Sequence, residues 1–242
     1  MSSFSGGIQA AGQDLYESST TQVHRIGERI ETSDGRVFRY AQAGGSALVA
    51  GNVLQAPAQV TTHKMMAPAA AAIGDTTVTA TLGSTNAVTA NQYAGGYLIT
   101  ALTPGNGYAY LIDSHPAASA DATCAIKLAE PLRVALTTST DVSLQQNPYK
   151  AVIQSPVTTL TGAVVGVAVV PAAASEYCWI QTRGVAPVLT AGTPGVGLAV
   201  VVPGTAAGCV VIDGAAAATQ VVGSMMETGV DGKNCAVFLN LD

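Results

Sequence analysis

From Ile30 onward the apolar residues of this chain recur with a period of two, in short runs broken by glycine, proline and asparagine. That spacing builds half-buried strands and cannot line one face of a helix. Arg29-Ile30-Glu31-Thr32 and Arg36-Val37-Phe38-Arg39-Tyr40 flank Asp34-Gly35. An Asp-Gly pair between two alternating runs marks a hairpin, because its tight turn needs positive φ. Within the second run, Val37 is expected on one side and Arg36 with Phe38 on the other.

Further runs follow at Thr77–Leu82, Ala87–Ala90, Tyr97–Thr100 and Tyr108–Ile112, with turn signals at Gly83-Ser84, Gly95-Gly96 and Pro104-Gly105-Asn106-Gly107. Thr and Val are stiff at χ1 and fit a pleated surface. Ala67–Ile73 is the one segment with helix-forming composition. Pro68 at its start and Gly74 after it limit it to two turns at most. The polar stretch Thr137–Lys150 reads as a connection, with a seam near residue 150. Beyond it lie seven short apolar runs: 162–170, 177–182, 185–189, 196–202, 209–212, 220–226 and 235–241.

The expected fold is therefore all-β, made of short-stranded β-barrel or β-sandwich lobes. The expected organisation is an extended N-terminal arm over 1–30, a β-rich lobe over 31–150 and a C-terminal barrel or sandwich lobe over 151–242. Apolar residues in the first thirty positions are too sparse for an independent core. Such a segment becomes ordered by lying on a partner, with Tyr16, His24, Arg25 and Arg29 as its expected contacts.

Only 25 of 242 residues are charged, 10 Lys or Arg and 15 Asp or Glu, against about a quarter in ordinary soluble domains. Ala, Gly, Val and Thr take their place. A surface so poor in ions is expected to be covered by neighbours in a permanent assembly. The net charge of −5 and scattered cations argue against nucleic-acid binding, which needs clustered Lys and Arg. Met1–Gly7 has no basic residue and no apolar run behind it, so no signal peptide is expected. The longest apolar run, Gly162–Ala174, contains Pro171 and falls short of the ~20 residues of a membrane-spanning helix.

The residues able to do chemistry are dispersed. Cys124, Cys178, Cys209 and Cys235 lack metal or redox spacing and read as buried thiols. His24, His63 and His115 fall in different elements. Asp113-Ser114-His115 is not a triad, since neighbours at a strand end point to alternate sides. Gly195-Val196-Gly197 lacks the third glycine and the helix of a dinucleotide loop, and Gly232-Lys233-Asn234 lacks the rest of a phosphate loop. Glu130, Glu176 and Glu227 adjoin turns. Trp179, the one tryptophan, is expected as a core anchor together with Phe38. No catalytic, cofactor or metal site is expected.

Two stretches carry a resemblance. Asp34–Tyr40 with the Gly- and Leu-spaced run Gly44–Leu54 resembles the opening of head structural proteins of tailed bacteriophages. Val164–Ala168, Glu176–Ala186, Val221-Val222-Gly223 and Val237–Leu241 are similar to their C-terminal lobe. The family is that of the capsid decoration, or cement, proteins. It implies a non-enzymatic, trimeric subunit, made in the host cytoplasm, that binds the major capsid protein on the outside of the virion without nucleic acid, membrane or cofactor. A tail, fibre-base or host-adhesion role is the alternative, with a hydrolase on a β scaffold behind it.

Overall fold

A computed structural model describes residues 12–202, 205–214 and 220–242. These form strands, turns and one 3-10 turn at Thr61–His63, with no α-helix among them; the protein is all-β. The strands are β1 (Ser18–Ser19), β2 (Arg29–Glu31), β3 (Val37–Gln42), β4 (Val53–Gln55), β5 (Thr77–Thr81), β6 (Tyr97–Thr100), β7 (Ala109–Ser114), β8 (Thr123–Leu128) and β9 (Val142–Gln145). They continue with β10 (Ile153–Gln154), β11 (Val164–Ala168), β12 (Tyr177–Thr190), β13 (Ala199–Val202), β14 (Val211–Ile212), β15 (Gln220–Met225) and β16 (Lys233–Asn240).

The chain divides into two compact units. Ala58–Asn147 is one; the other joins the described residues up to Pro57 to Pro148–Asp242. The seam expected near 150 therefore has a counterpart, but a single lobe over 31–150 does not form. Residues 31–57 belong with the C-terminal strands, because β3 pairs with β12 and β4 pairs with β11. Alternation shows which residues make strands, whereas pairing across more than a hundred residues depends on the folded surface.

In the discontinuous unit the strands run in the order β10-β4-β11-β12-β16-β15-β13-β14. The long β12 is its spine. β3 pairs along its first half, from Tyr177↔Gln42 to Arg183↔Val37, and β16 along its second, from Arg183↔Asn240 to Thr190↔Lys233. The sequence places two separate runs here. Instead the strand continues through Gly184, which adopts φ +85, and the pairing with β3 slips between Gln181 and Arg183. The buried Gln181 side chain donates to the Arg183 and Val185 carbonyls at 3.0 and 2.9 Å.

The two ends of this path meet at Gly208. Its carbonyl accepts from Val53 N and its N–H donates to Ser155 O, at 2.8 and 2.9 Å, so the sheet curls back on itself. Only glycine fits there: φ is +75, and a Cβ would lie 2.6 Å from Cβ of Asn52. Within the curl, Val53, Val167, Val188, Val200, Val222, Val237 and Leu239 pack with Ala186, Met225 and Cys235. A small barrel has a narrow interior that side chains must fill. Branched residues of modest size fill the inside of this curled half-barrel.

Two satellite clusters flank the first half of β12. Cys178 and Ile180 face Ala41, Leu48, Leu54 and Val165. Trp179, fully buried, faces the other way onto Phe38, Tyr40, Ile30 and Leu15. Leu15 and Ile30 come from the segment expected as an arm. Tyr40 Oη donates to Gln13 Oε1 at 2.7 Å, Gln13 Nε2 donates to Glu17 O and Tyr177 O, and β1 pairs with β12. Residues 12–30 therefore pack on their own unit. Residues 1–11 of the expected arm lie outside the described residues. The hairpin at Asp34-Gly35 is present with a three-residue loop, closed by Thr32 N to Arg36 O, with Gly35 at φ +82.

The unit Ala58–Asn147 has the strand order β5-β8-β7-β6-β9. Residues 66–71 run between its outer strands: Met66 exchanges backbone bonds with Val142, and Ala69 N donates to Thr79 O. The Ala-rich segment is thus extended rather than helical. Its backbone groups find partners on both sides instead. Leu98, Tyr110, Ile112, Ile126, Leu128 and Leu144 form its core with Tyr93 and Met66.

Candidate functional site

The second half of β12 alternates exposed and buried from Arg183 to Val188. Its outward residues meet those of β16 and β15 in register. Val185 lies opposite Phe238, which lies opposite Ser224. Pro187 lies opposite Ala236, whose carbonyl accepts from Met226 N. The missing Pro187 donor does not interrupt β16, because odd positions of β12 bond the other way, as Leu189 N does to Gly51 O.

These rows form a surface of Val185, Pro187, Ala236, Phe238, Ser224 and Met226. Val185, Phe238 and Met226 are 45%, 44% and 50% exposed, although their types usually pack inward. The one charge within the rows is Arg183, opposite Asn240. Glu227 borders them, accepting from Ala236 N at 2.6 Å. Apart from Arg183, the face is exposed and apolar, a character that sheet surfaces facing only water seldom have.

At the Arg183 end the surface drops into a cleft of about 470 Å³, lined by Asp34, Arg36, Arg183, Gly184, Val185 and Phe238 among others. The β2–β3 hairpin positions Arg36 there. Arg36 Nε donates to Asp34 Oδ2 at 2.7 Å and Nη1 to Tyr16 Oη at 3.1 Å, and the guanidinium lies 5.5 Å from the Phe38 ring centroid. Hydrogen bonding from Thr32, then from Arg36, holds the Asp34 carboxyl below its ordinary value against a contrary pull from burial.

The four residues expected to make partner contacts do not share one surface. Tyr16 is 55% exposed and borders the cleft through Arg36. Arg29 pairs with Glu31 at 2.9 Å. Arg25 is exposed, and its backbone N donates to Glu28. His24 belongs to the interior: its ring centroid lies 5.0 Å from Trp179 and 5.1 Å from Tyr40, and Nδ1 lies 3.3 Å from Glu28 Oε1. Only a packed position accommodates an imidazole between two buried rings. The core anchors Trp179 and Phe38 are both fully buried.

The other two histidines, remote in sequence, converge on Tyr93. His63 Nδ1 accepts from Tyr93 Oη at 2.7 Å and Nε2 donates to Asn86 O, while His115 Nε2 accepts from Tyr93 N at 2.9 Å. His115 Nδ1 then donates to Pro116 O. Asp113 faces Lys127 at 3.0 Å. Both imidazoles thus serve as buried connectors in this fold. Among the described residues no three His, Cys, Asp or Glu side chains are grouped to hold a metal ion. No helix among them is long and apolar enough to cross a membrane, a statement that does not extend to strands.

Beside the apolar face, Asp242 ties the end of β16 to β3 and β12. It accepts from Arg39 Nε and Nη2 at 2.7 and 2.9 Å and from Thr182 Oγ1 at 3.3 Å. Hydrogen bonding from Arg39 holds its carboxyl below the ordinary value, with burial opposing. A carboxylate depressed in the folded state stabilises fully above its unfolded value, about 3.9, and loses that contribution as pH falls through the lower folded value. Asp242→Asn should cost about 1 kcal/mol between pH 5 and 7. The difference from wild type should shrink below about pH 4. Urea unfolding midpoints of both proteins across that range test this; a difference that grows on acidification contradicts it.

Comparison with known proteins adds no relative: no family model, curated protein or solved structure matches the chain. The apolar face has one signal in the sequence. Cys235–Leu239 is apolar at every position, as expected of a strand covered on both faces.

Proposed function

We propose that the protein is a structural virion subunit, a capsid decoration or cement protein, that binds the outer surface of a phage head and stabilises the shell. The observation that carries this reading is the charge-poor outer face of β12, β16 and β15, where Val185, Phe238 and Met226 stand exposed. Burying such a face against the major capsid protein and sister subunits, as a homotrimer, offsets the shortage of surface charge. Obligate contacts resemble a core cut in half. A subunit that binds the mature shell and not its dissociated components stabilises it by mass action, with no chemistry.

The test uses the full chain, made in a host cytoplasm and purified. Sedimentation should give a trimer, and adding it to heads from a virus lacking this gene should raise their disruption temperature. A monomer that leaves those heads unchanged overturns the proposal.

A further inference from the structure

The apolar face ends where its charge is unanswered. Arg36 is anchored through Nε and Nη1, while Nη2 makes no bond among the described residues. Arg183 is exposed, and its guanidinium makes no hydrogen bond or ion pair among them. Asp34 is the one carboxylate in the cleft lining, and Thr32 Oγ1, Arg36 N and Arg36 Nε already occupy it. Two cations therefore face one engaged anion, with Val185 and Phe238 as an apolar floor.

Gly184 keeps this arrangement open. It sits at φ +85, and a Cβ there would lie 2.9 Å from Arg36 Cγ. A side chain at 184 would displace the guanidinium that Tyr16 and Asp34 hold. The Arg36 fork is thus fixed before any ligand arrives, which reduces the ordering cost of binding.

We propose that the cleft docks an acidic peptide segment of the shell partner. Its carboxylate lies between Arg36 and Arg183, and an adjacent apolar side chain rests on Val185 and Phe238. Charge complementarity selects an anion, and the apolar floor selects a peptide over a phosphate backbone. This inference rests on the shell-contact reading above and assigns the chemistry of the partner.

The probe is N-acetyl-Glu-Phe-amide, titrated into the isotope-labelled full chain and followed by NMR. Shifts should appear at Gly184, Val185, Phe238 and the Nε–H groups of Arg36 and Arg183, with saturation near ~1 mM. Replacing Glu by Gln in the peptide, or Arg183→Gln in the protein, should weaken binding ~10-fold, since the charge-assisted bonds are lost. Equal binding of the Gln peptide, equally strong shifts with inorganic phosphate or a single-stranded oligonucleotide, or no shift at these residues overturns the proposal. Head binding separates the two readings. Wild-type binding that Arg183→Gln leaves unchanged removes the cleft proposal alone, whereas wild-type protein that neither binds heads nor self-associates removes the contact reading.

Discussion

Trp179→Ala should destabilise the discontinuous unit by about 3 to 5 kcal/mol, because the largest side chain of its aromatic cluster would leave a cavity that the β scaffold can close only in part. Trp179 is fully buried among Phe38, Tyr40, Ile30 and Leu15. Both sides of the cavity are pinned, by β3 pairing with β12 and by Gln13 bonded to Tyr40 and Tyr177. The effect should extend to residues 12–30, whose Leu15 and His24 lean on the same ring.

A second substitution sharpens this expectation. The Trp179 indole N–H is buried without a hydrogen-bond partner, as is His24 Nε2 beside it. An unmade buried bond costs about 1 to 3 kcal/mol. Trp179→Phe removes that group while keeping an aromatic ring, so it should stay within about 1 kcal/mol of wild type. Urea unfolding followed by circular dichroism measures both variants. An alanine variant as stable as the phenylalanine variant would show that the ring does not organise this cluster.

Phe238→Glu should leave the fold nearly intact and abolish assembly. Phe238 is 44% exposed and its contact across the sheet is with Val185, a cross-strand pair worth roughly 0.2 to 1 kcal/mol. As an aromatic anchor at the centre of a buried interface it would contribute about 2 kcal/mol or more, a ~30-fold loss of affinity on truncation. A carboxylate desolvated at that point weakens binding further. Sedimentation and head binding read the assembly, and thermal unfolding reads the fold. Assembly that survives Phe238→Glu with the fold unchanged would place the contact elsewhere on the molecule.

The three histidines illustrate where reading by position stops. His63 and His115 are 52 positions apart in the chain, yet the fold brings both to Tyr93. His24, with Tyr16, Arg25 and Arg29, had the look of a polar contact strip. In the fold it turns inward, because Tyr40 and Trp179 present rings between which an imidazole packs, while its three companions remain outside. Ala67–Ile73 favours a helix by residue type. The bonds to β9 and β5 that hold Met66 and Ala69 extended come from partners that propensity does not register.

Period-two alternation, the Asp34-Gly35 turn and the predominance of small branched residues determined by themselves that the chain is all-β, with thin cores and little charge for its surface. Local sterics act over a few residues, so they are legible in the chain. Which strands become neighbours, that Ala58–Asn147 interrupts the other unit, and that Val185 and Phe238 end up outside while Val237 and Leu239 fill the inside of the curl were decided by the tertiary structure alone. A strand apolar on both faces can place either one inward, and only the curling of the sheet selects between them.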